Sequence, residues 1–257
     1  MKMRIHLHGD PIQIDLSPFH KENQSRMEKM KSIEFSHPFH DRPTHTHCRD
    51  VMKAASLTAS YGSNWTANGH IRLPIHSRIP ANEETSIHRS INGKDMTILH
   101  PMSVGPGRKY KSMLEDAGFT QLLGPCPQYR NAIVLAAMAH DWGKVETFDP
   151  SGGEKGKAFF RGHEKVSAQI LAEMGAPELV CNLVREHGNI RDVSRMSSKG
   201  IGKIIKRLTP EGECELVVLH LFDHLLLADS SAFSEEGKTI SRKQWSDWRA
   251  KAYASIK

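Results

Sequence analysis

Residues 131–144 read NAIVLAAMAHDWGK. After Asn131 the run to Ala139 is wholly apolar, free of glycine and proline, which describes a helix buried all round. That helix delivers His140 and Asp141 side by side at its C-terminal end, with Gly143 and Lys144 just beyond. An imidazole and a carboxylate at the end of a buried helix are costly unless something satisfies them. A divalent cation does so: histidine offers a neutral nitrogen and aspartate an anionic oxygen, a mixture suited to Mn, Fe, Zn or Mg. The dipeptide alone does not decide the matter. Phe39-His40-Asp41 repeats it in a proline-flanked loop, and a helix end beside a chance His-Asp pair accounts for it equally well.

The flanking sequence supplies more groups of the same kind. In FFRGHEKVSAQILAEM (159–174), His163 opens an amphipathic helix with Val166, Ile170 and Met174 along one face. In LVCNLVREHGNI (179–190), His187 closes a helix before Gly188, a place the helix dipole also favours for histidine. In LVVLHLFDHLLLADSSAF (216–233), Asp229 ends an apolar helix and wants a cation or a cap. His220 and His224, one turn apart in the same run, read as buried polar contacts or pocket lining rather than as a metal pair.

The whole chain has 257 residues, 38% of them hydrophobic, with acidic and basic residues interspersed. That is enough for one large domain with a real core and argues against global disorder. The net charge of +6 suits an anionic partner such as a nucleotide or nucleic acid. Cys48, Cys126, Cys181 and Cys214 are widely separated with no CxxC pair. This excludes a disulfide framework and a four-thiolate zinc site, and fits a reducing cytosol. The start, MKMRIHLHGDPIQIDL, lacks the apolar segment of a signal peptide, and no apolar run is long enough to span a bilayer. A cytoplasmic protein with no membrane partner is expected.

Residues 3–16 read as two short strands around Gly9-Asp10-Pro11, and 20–34 as a charged helix. His47 to about Ala59 reads as a helix with Val51, Ala55 and Ala59 at four-residue steps. Residues 62–107 are broken by Gly69, Pro74, Pro80, Pro101 and Pro106 and carry β-like pieces, HIRLPI and MTIL, with Asn92-Gly93 as a hairpin turn signal. From 108 the chain reads as helices at about 108–117, 128–142, 160–174, 177–188, 198–208, 211–229 and 241–255. Thr209-Pro210 reads as the cap and first turn of the long one. SRKQWSDWRAKAYASIK (241–257) reads as a closing amphipathic helix with Trp245 and Trp248 packed inward, in preference to a base-stacking surface. The expected fold is mainly α. An N-terminal β/helix extension (1–35) precedes a helical domain (36–257), which a β-containing insertion interrupts at about 62–107.

The order His, His-Asp, His, His, Asp on successive helices resembles the HD-domain metal-dependent phosphohydrolase superfamily. The stretch AHDWGKVETF…FFRGHEKVSAQILAEM…LVREHG looks most like the HD domain attached to bacterial tRNA nucleotidyltransferases and their stand-alone relatives. The resemblance covers roughly 128–232 plus one helix upstream. It implies an HD-domain helical bundle and a first histidine at the start of an earlier helix, for which His40, His45, His47, His88 and His100 are available. His47 fits, because Val51 and Ala55 follow it, and HCRDV also resembles a run in cyclic-nucleotide phosphodiesterases. His45 would put Arg49 where an apolar residue belongs, and His100 is followed at once by Pro101.

The resemblance further implies that His47, His140, Asp141 and Asp229 hold one divalent ion. His163 and His187 then bind a second ion or contact substrate phosphate, the metal being Mn, Fe, Mg, Ni or Zn. Asp141 and Lys144 become the catalytic residues, and Lys144 and Arg161 candidates for binding phosphate. The implied reaction is hydrolysis of a nucleotide or nucleotide-like phosphomonoester by a metal-activated water. Two alternatives stand beside it. One is a phosphodiesterase for a cyclic nucleotide or an RNA 2′,3′-cyclic phosphate. The other is a nucleic-acid-binding protein whose HD site is structural or vestigial. The N-terminal 130 residues lack a Gly-Ser motif followed by paired acidic residues, so the CCA-adding reaction is not expected.

Overall fold

The computed structural model describes residues 14–33, 43–61, 71–72, 84–91, 94–101, 129–150 and 159–256. Its described part is mainly helical. The helices are α1 (Ser17–Lys31), α2 (Thr44–Tyr61), α3 (Arg130–Ala139), α4 (His163–Glu173), α5 (Glu178–Glu186), α6 (Ser198–Leu208), α7 (Glu215–Ser231) and α8 (Glu235–Ser255). Two 3-10 segments, Trp142–Lys144 and His187–Arg195, follow α3 and α5 directly.

The helix α3 is the centre of the bundle. Its small side chains, Ala132, Ala136, Ala137 and Ala139, are fully buried together with Ile133 and Leu135. They let other backbones come close, and α2, α5 and α7 all pack on it. Phe222 of α7 and Trp248 of α8, both fully buried, meet edge to face with centroids 5.4 Å apart. Trp245 is buried as well, so the aromatic residues of α8 face the core.

Between α2 and α3 the backbone of β2 (Glu84–Ile91) pairs antiparallel with β3 (Lys94–Pro101), Ile87 opposite Ile98. A two-residue strand β1 (Ile71–Arg72) lies parallel to β3 on its other edge. The turn Asn92-Gly93, the two N-terminal strands expected before Ile14, and the expected helix at 108–117 lie outside the described residues.

Three local expectations are corrected. Thr209-Pro210 does not start the long helix. Thr209 closes α6, its amide donating to Ile205 O, and Gly212 at φ +85° turns the chain before α7 begins at Glu215. The last helix starts six residues earlier than expected. Ser234 caps α8 by accepting from the Gly237 amide at 3.1 Å, and Glu235 and Glu236 sit in its first turn, where the dipole favours them. In α4 the buried face is His163, Ser167, Ala168 and Leu171, not the half-buried Val166, Ile170 and Met174 stripe. Small residues face inward there because α4 packs against the Trp142–Lys144 turn at backbone distance.

Candidate metal centre

Six side chains from five elements meet at the C-terminal end of α3. His140 caps α3 and Asp141 follows it; His47 comes from α2, His163 from α4, His187 from the end of α5, and Asp229 from α7. All four histidines and Asp141 are at most 5% exposed. Asp141 stands in the middle. Its Oδ2 lies 3.3 Å from His140 Nε2 and 3.6 Å from His47 Nε2, and its Oδ1 lies 3.1 Å from His163 Nε2. Asp229 Oδ1 closes the other side, 3.0 Å from His47 Nε2 and 3.6 Å from His140 Nε2. His187 stands edge-on to His140 and His163, at centroid distances of 5.3 and 5.5 Å.

The ring orientations are set from outside. His140 Nδ1 lies 2.8 Å from Ala137 O, His163 Nδ1 2.8 Å from Phe160 O, His187 Nδ1 2.7 Å from Val184 O, and His47 Nδ1 3.5 Å from Ala232 O. A carbonyl oxygen only accepts, so each ring keeps its proton on Nδ1 and turns Nε2 inward. Backbone anchoring of the far nitrogen is how ligand histidines are held in metal sites. Phe233 also stacks on His47 at 5.5 Å and nearly parallel. The end of α7 thus grips His47 while presenting Asp229.

His140 Nε2 and His47 Nε2 are only 3.4 Å apart. With both Nδ1 protons committed to carbonyls, two lone pairs would face each other there. A positive charge is needed between them and the carboxylates. Burial disfavours a charge on His140, but Asp141 and Asp229 outweigh it and hold His140 above the usual imidazole value. The carboxyls respond in the opposite sense. Burial would raise both, yet His140 and Lys144 hold Asp141, and His47 and His140 hold Asp229, well below the usual range. Burial, with repulsion from His140 and His163, lowers His187 to about 4. Three overlapping groups could each take a metal ion: His47, His140 and Asp229; Cys48, His140 and Asp141; and Asp141, His163 and His187. The donors fit a divalent cation in number, type and direction.

Lys144 is not a solvated helix-end lysine. It is 6% exposed, and its Nζ donates to Asp141 Oδ2 at 2.6 Å. The glycine before it is required by packing. A Cβ on residue 143 would overlap the His163 carbonyl oxygen and come within 2.8 Å of the Ser167 amide nitrogen. Gly143 N also donates to Ser167 Oγ at 2.8 Å, tying the His140-Asp141 turn to the helix that starts with His163. Gly162, at φ +78°, makes the turn into that helix.

Arg161 is exposed and stacked over Phe159, outside the buried cluster. His220 and His224 meet edge to face at 4.8 Å on α7 and belong to none of the three groups. Of the other upstream histidines, His45 is half-buried on α2 two residues before His47, His88 and His100 fall on β2 and β3, and His40 lies outside the described residues. Three supporting residues, Arg26, Glu186 and Arg207, were given no role by the sequence. Arg26 of α1 is buried and bonds Trp142 O at 3.2 Å and Glu146 at 2.7 Å. Glu186, also buried, takes both arms of Arg207 at 2.8 Å beside His187. Only Glu186 left a trace in the sequence, as an acidic neighbour of a ligand candidate.

Residues 111–226 match the family model of the HD domain. No curated protein and no solved structure matches the chain. His47 and Asp229 fall outside the matched residues, and it is the geometry that brings them to the other four side chains.

Proposed function

We propose, on the premise that this chain belongs to the HD-domain family of metal-dependent phosphohydrolases, that it hydrolyses a nucleotide or nucleotide-like phosphomonoester. The observation that carries the reading is the opposition of His47 Nε2 and His140 Nε2 at 3.4 Å with both rings anchored through Nδ1. His47, His140, Asp141 and Asp229 are the residues to hold one divalent ion, and His163 and His187, sharing Asp141, the residues to hold a second. Such a cation supplies charge that acidifies water and neutralises phosphoryl oxygens.

The chain's own residues do the rest. The carbonyl anchors aim four imidazole Nε2 atoms inward, so little reorganisation is needed when a ligand arrives. Lys144 neutralises Asp141 and stands ready to turn its ammonium to a phosphate oxygen once Asp141 is engaged elsewhere. Arg161, at the surface two residues before His163, is the candidate for meeting an incoming phosphate first. The insertion at about 62–107, in a helical domain of 36–257 that follows the 1–35 extension, is the candidate for selecting the substrate. No helix among the described residues is long and apolar enough to cross a membrane, which suits a small anionic substrate taken from solution in the cytoplasm.

The test is a phosphate-release screen of nucleoside monophosphates, triphosphates and cyclic nucleotides with Mn, Mg, Ni and Fe. Turnover of monoesters with no cleavage of cyclic esters supports the proposal. Cleavage of cyclic nucleotides or of RNA 2′,3′-cyclic ends alone replaces it with the phosphodiesterase reading. Salt-sensitive RNA or DNA binding without any hydrolysis replaces it with a nucleic-acid-binding one.

A further inference from the structure

The pair His140-Asp141 has a third neighbour that the hydrolase reading leaves idle. Cys48 follows His47 on α2 and is 2% exposed. Its Sγ lies 3.9 Å from Asp141 Oδ2. Sγ, a His140 nitrogen and an Asp141 oxygen all fall within 4.8 Å of one another. Its other sulfur contact is Met30 Sδ of α1, also at 3.9 Å. Adjacent helical residues point about 100° apart. His47 and Cys48 therefore straddle the centre, with His47 on the Asp229 side and Cys48 on the Asp141 side.

A buried cysteine is often only a small apolar filler. Here a separate observation points to a ligand at the same place. His47 Nε2 and His140 Nε2 oppose each other at 3.4 Å beside Asp229, a grouping that suits a cation, and His140 is the residue that Cys48 shares. We propose that Cys48 is a sulfur donor of this centre, completing a nitrogen, oxygen and sulfur set with His140 and Asp141. The proposal rests on the metal-centre reading above and deepens it. A thiolate among the donors favours borderline-soft cations such as Zn, Fe(II) or Co(II) over Mg. On binding, one sulfur–cation bond forms, the thiol proton leaves to solvent, and no group is oxidised or reduced.

The experiment is titration of the metal-free full chain with Co(II), followed by absorption. Visible ligand-field bands report bound cobalt of any ligation, and a near-ultraviolet thiolate-to-cobalt charge-transfer band reports sulfur. The wild-type protein should show both. Cys48→Ser should keep the visible bands and lose the near-ultraviolet band. A variant with serine at Cys126, Cys181 and Cys214, leaving Cys48 as the sole cysteine, should keep both. Visible bands without the near-ultraviolet band in the wild type, its persistence in Cys48→Ser, or its loss in the triple variant would overturn the role of Cys48 and leave the metal centre standing. The absence of both bands in the wild type would overturn the metal centre, and the proposal with it. The wild-type and triple-variant spectra decide the question even if Cys48→Ser does not fold.

Discussion

His47 and His140 turn their Nε2 atoms toward each other at 3.4 Å while their Nδ1 atoms face the carbonyls of Ala232 and Ala137. Positive charge is needed where two nitrogens so anchored face each other, and a shared divalent cation supplies it. Either residue should then be needed for metal retention. His47→Ala is expected to weaken divalent-metal binding by more than about tenfold. His45→Ala, two positions away and outside the cluster, should leave it unchanged. Isothermal titration of the two variants checks this, and equal losses would mean that the wrong upstream histidine has been assigned.

Gly143 is set by packing against α4. Gly143→Ala puts a methyl group into the His163 carbonyl and the Ser167 amide, so α4 must retreat and take His163 with it. The expected cost is about 1–3 kcal/mol of stability, as for overpacking elsewhere, together with weaker binding on the Asp141, His163 and His187 side. Urea unfolding and metal stoichiometry measured on the same sample test both. An unchanged midpoint would contradict the close approach.

Lys144 bonds Asp141 from inside the protein. Lys144→Met leaves a buried carboxylate without its ammonium, which costs about 3–5 kcal/mol in comparable buried pairs. The loss should shrink when a divalent ion saturates the centre, because the ion replaces the missing charge and binding favours the folded state. Thermal melts with and without metal would show it. A lysine that only meets substrate would give no such metal-dependent difference.

Asp223, fully buried between α7 and α8, accepts from Trp245 Nε1 at 3.2 Å and Tyr253 Oη at 2.9 Å, with Arg249 Nε at 3.7 Å. Burial raises its carboxyl from 3.8 to about 7 despite these partners. The folded state therefore binds a proton that the unfolded chain releases between those values. Asp223's contribution is fully present below pH 3.8 and is lost as pH rises through about 7. Relative to Asp223→Asn, the wild-type protein should lose on the order of a few kcal/mol of stability across that window. Parallel pH dependences of the two unfolding free energies would contradict this.

Much of the centre was legible in the sequence because ligand histidines mark helix ends. His140, His163 and His187 each sit where a helix starts or stops, and Asp229 lies near the end of an apolar one. His47 stood out only through the family resemblance, which calls for apolar residues four and eight positions beyond the first histidine. What stayed hidden depends on the third dimension. Nothing in a lysine after a glycine says that its ammonium folds back onto Asp141, and nothing in His-Cys says that both residues flank one centre. The start of α7 was misread because Thr-Pro is a good helix opening in isolation. Gly212, two residues on, adopts a left-handed turn that no helix accommodates. The start of α8 was missed although Ser234 followed by two glutamates is a capping signal.

The central claim is a hydrolytic metal centre built on His140 and Asp141. Its most direct test is divalent-metal analysis of the purified chain, beside His140→Ala and Asp141→Ala, together with phosphate release by the same samples. Bound metal and turnover in the wild type, with both abolished in each variant, is the predicted result. Full turnover by variants that carry no metal would contradict it.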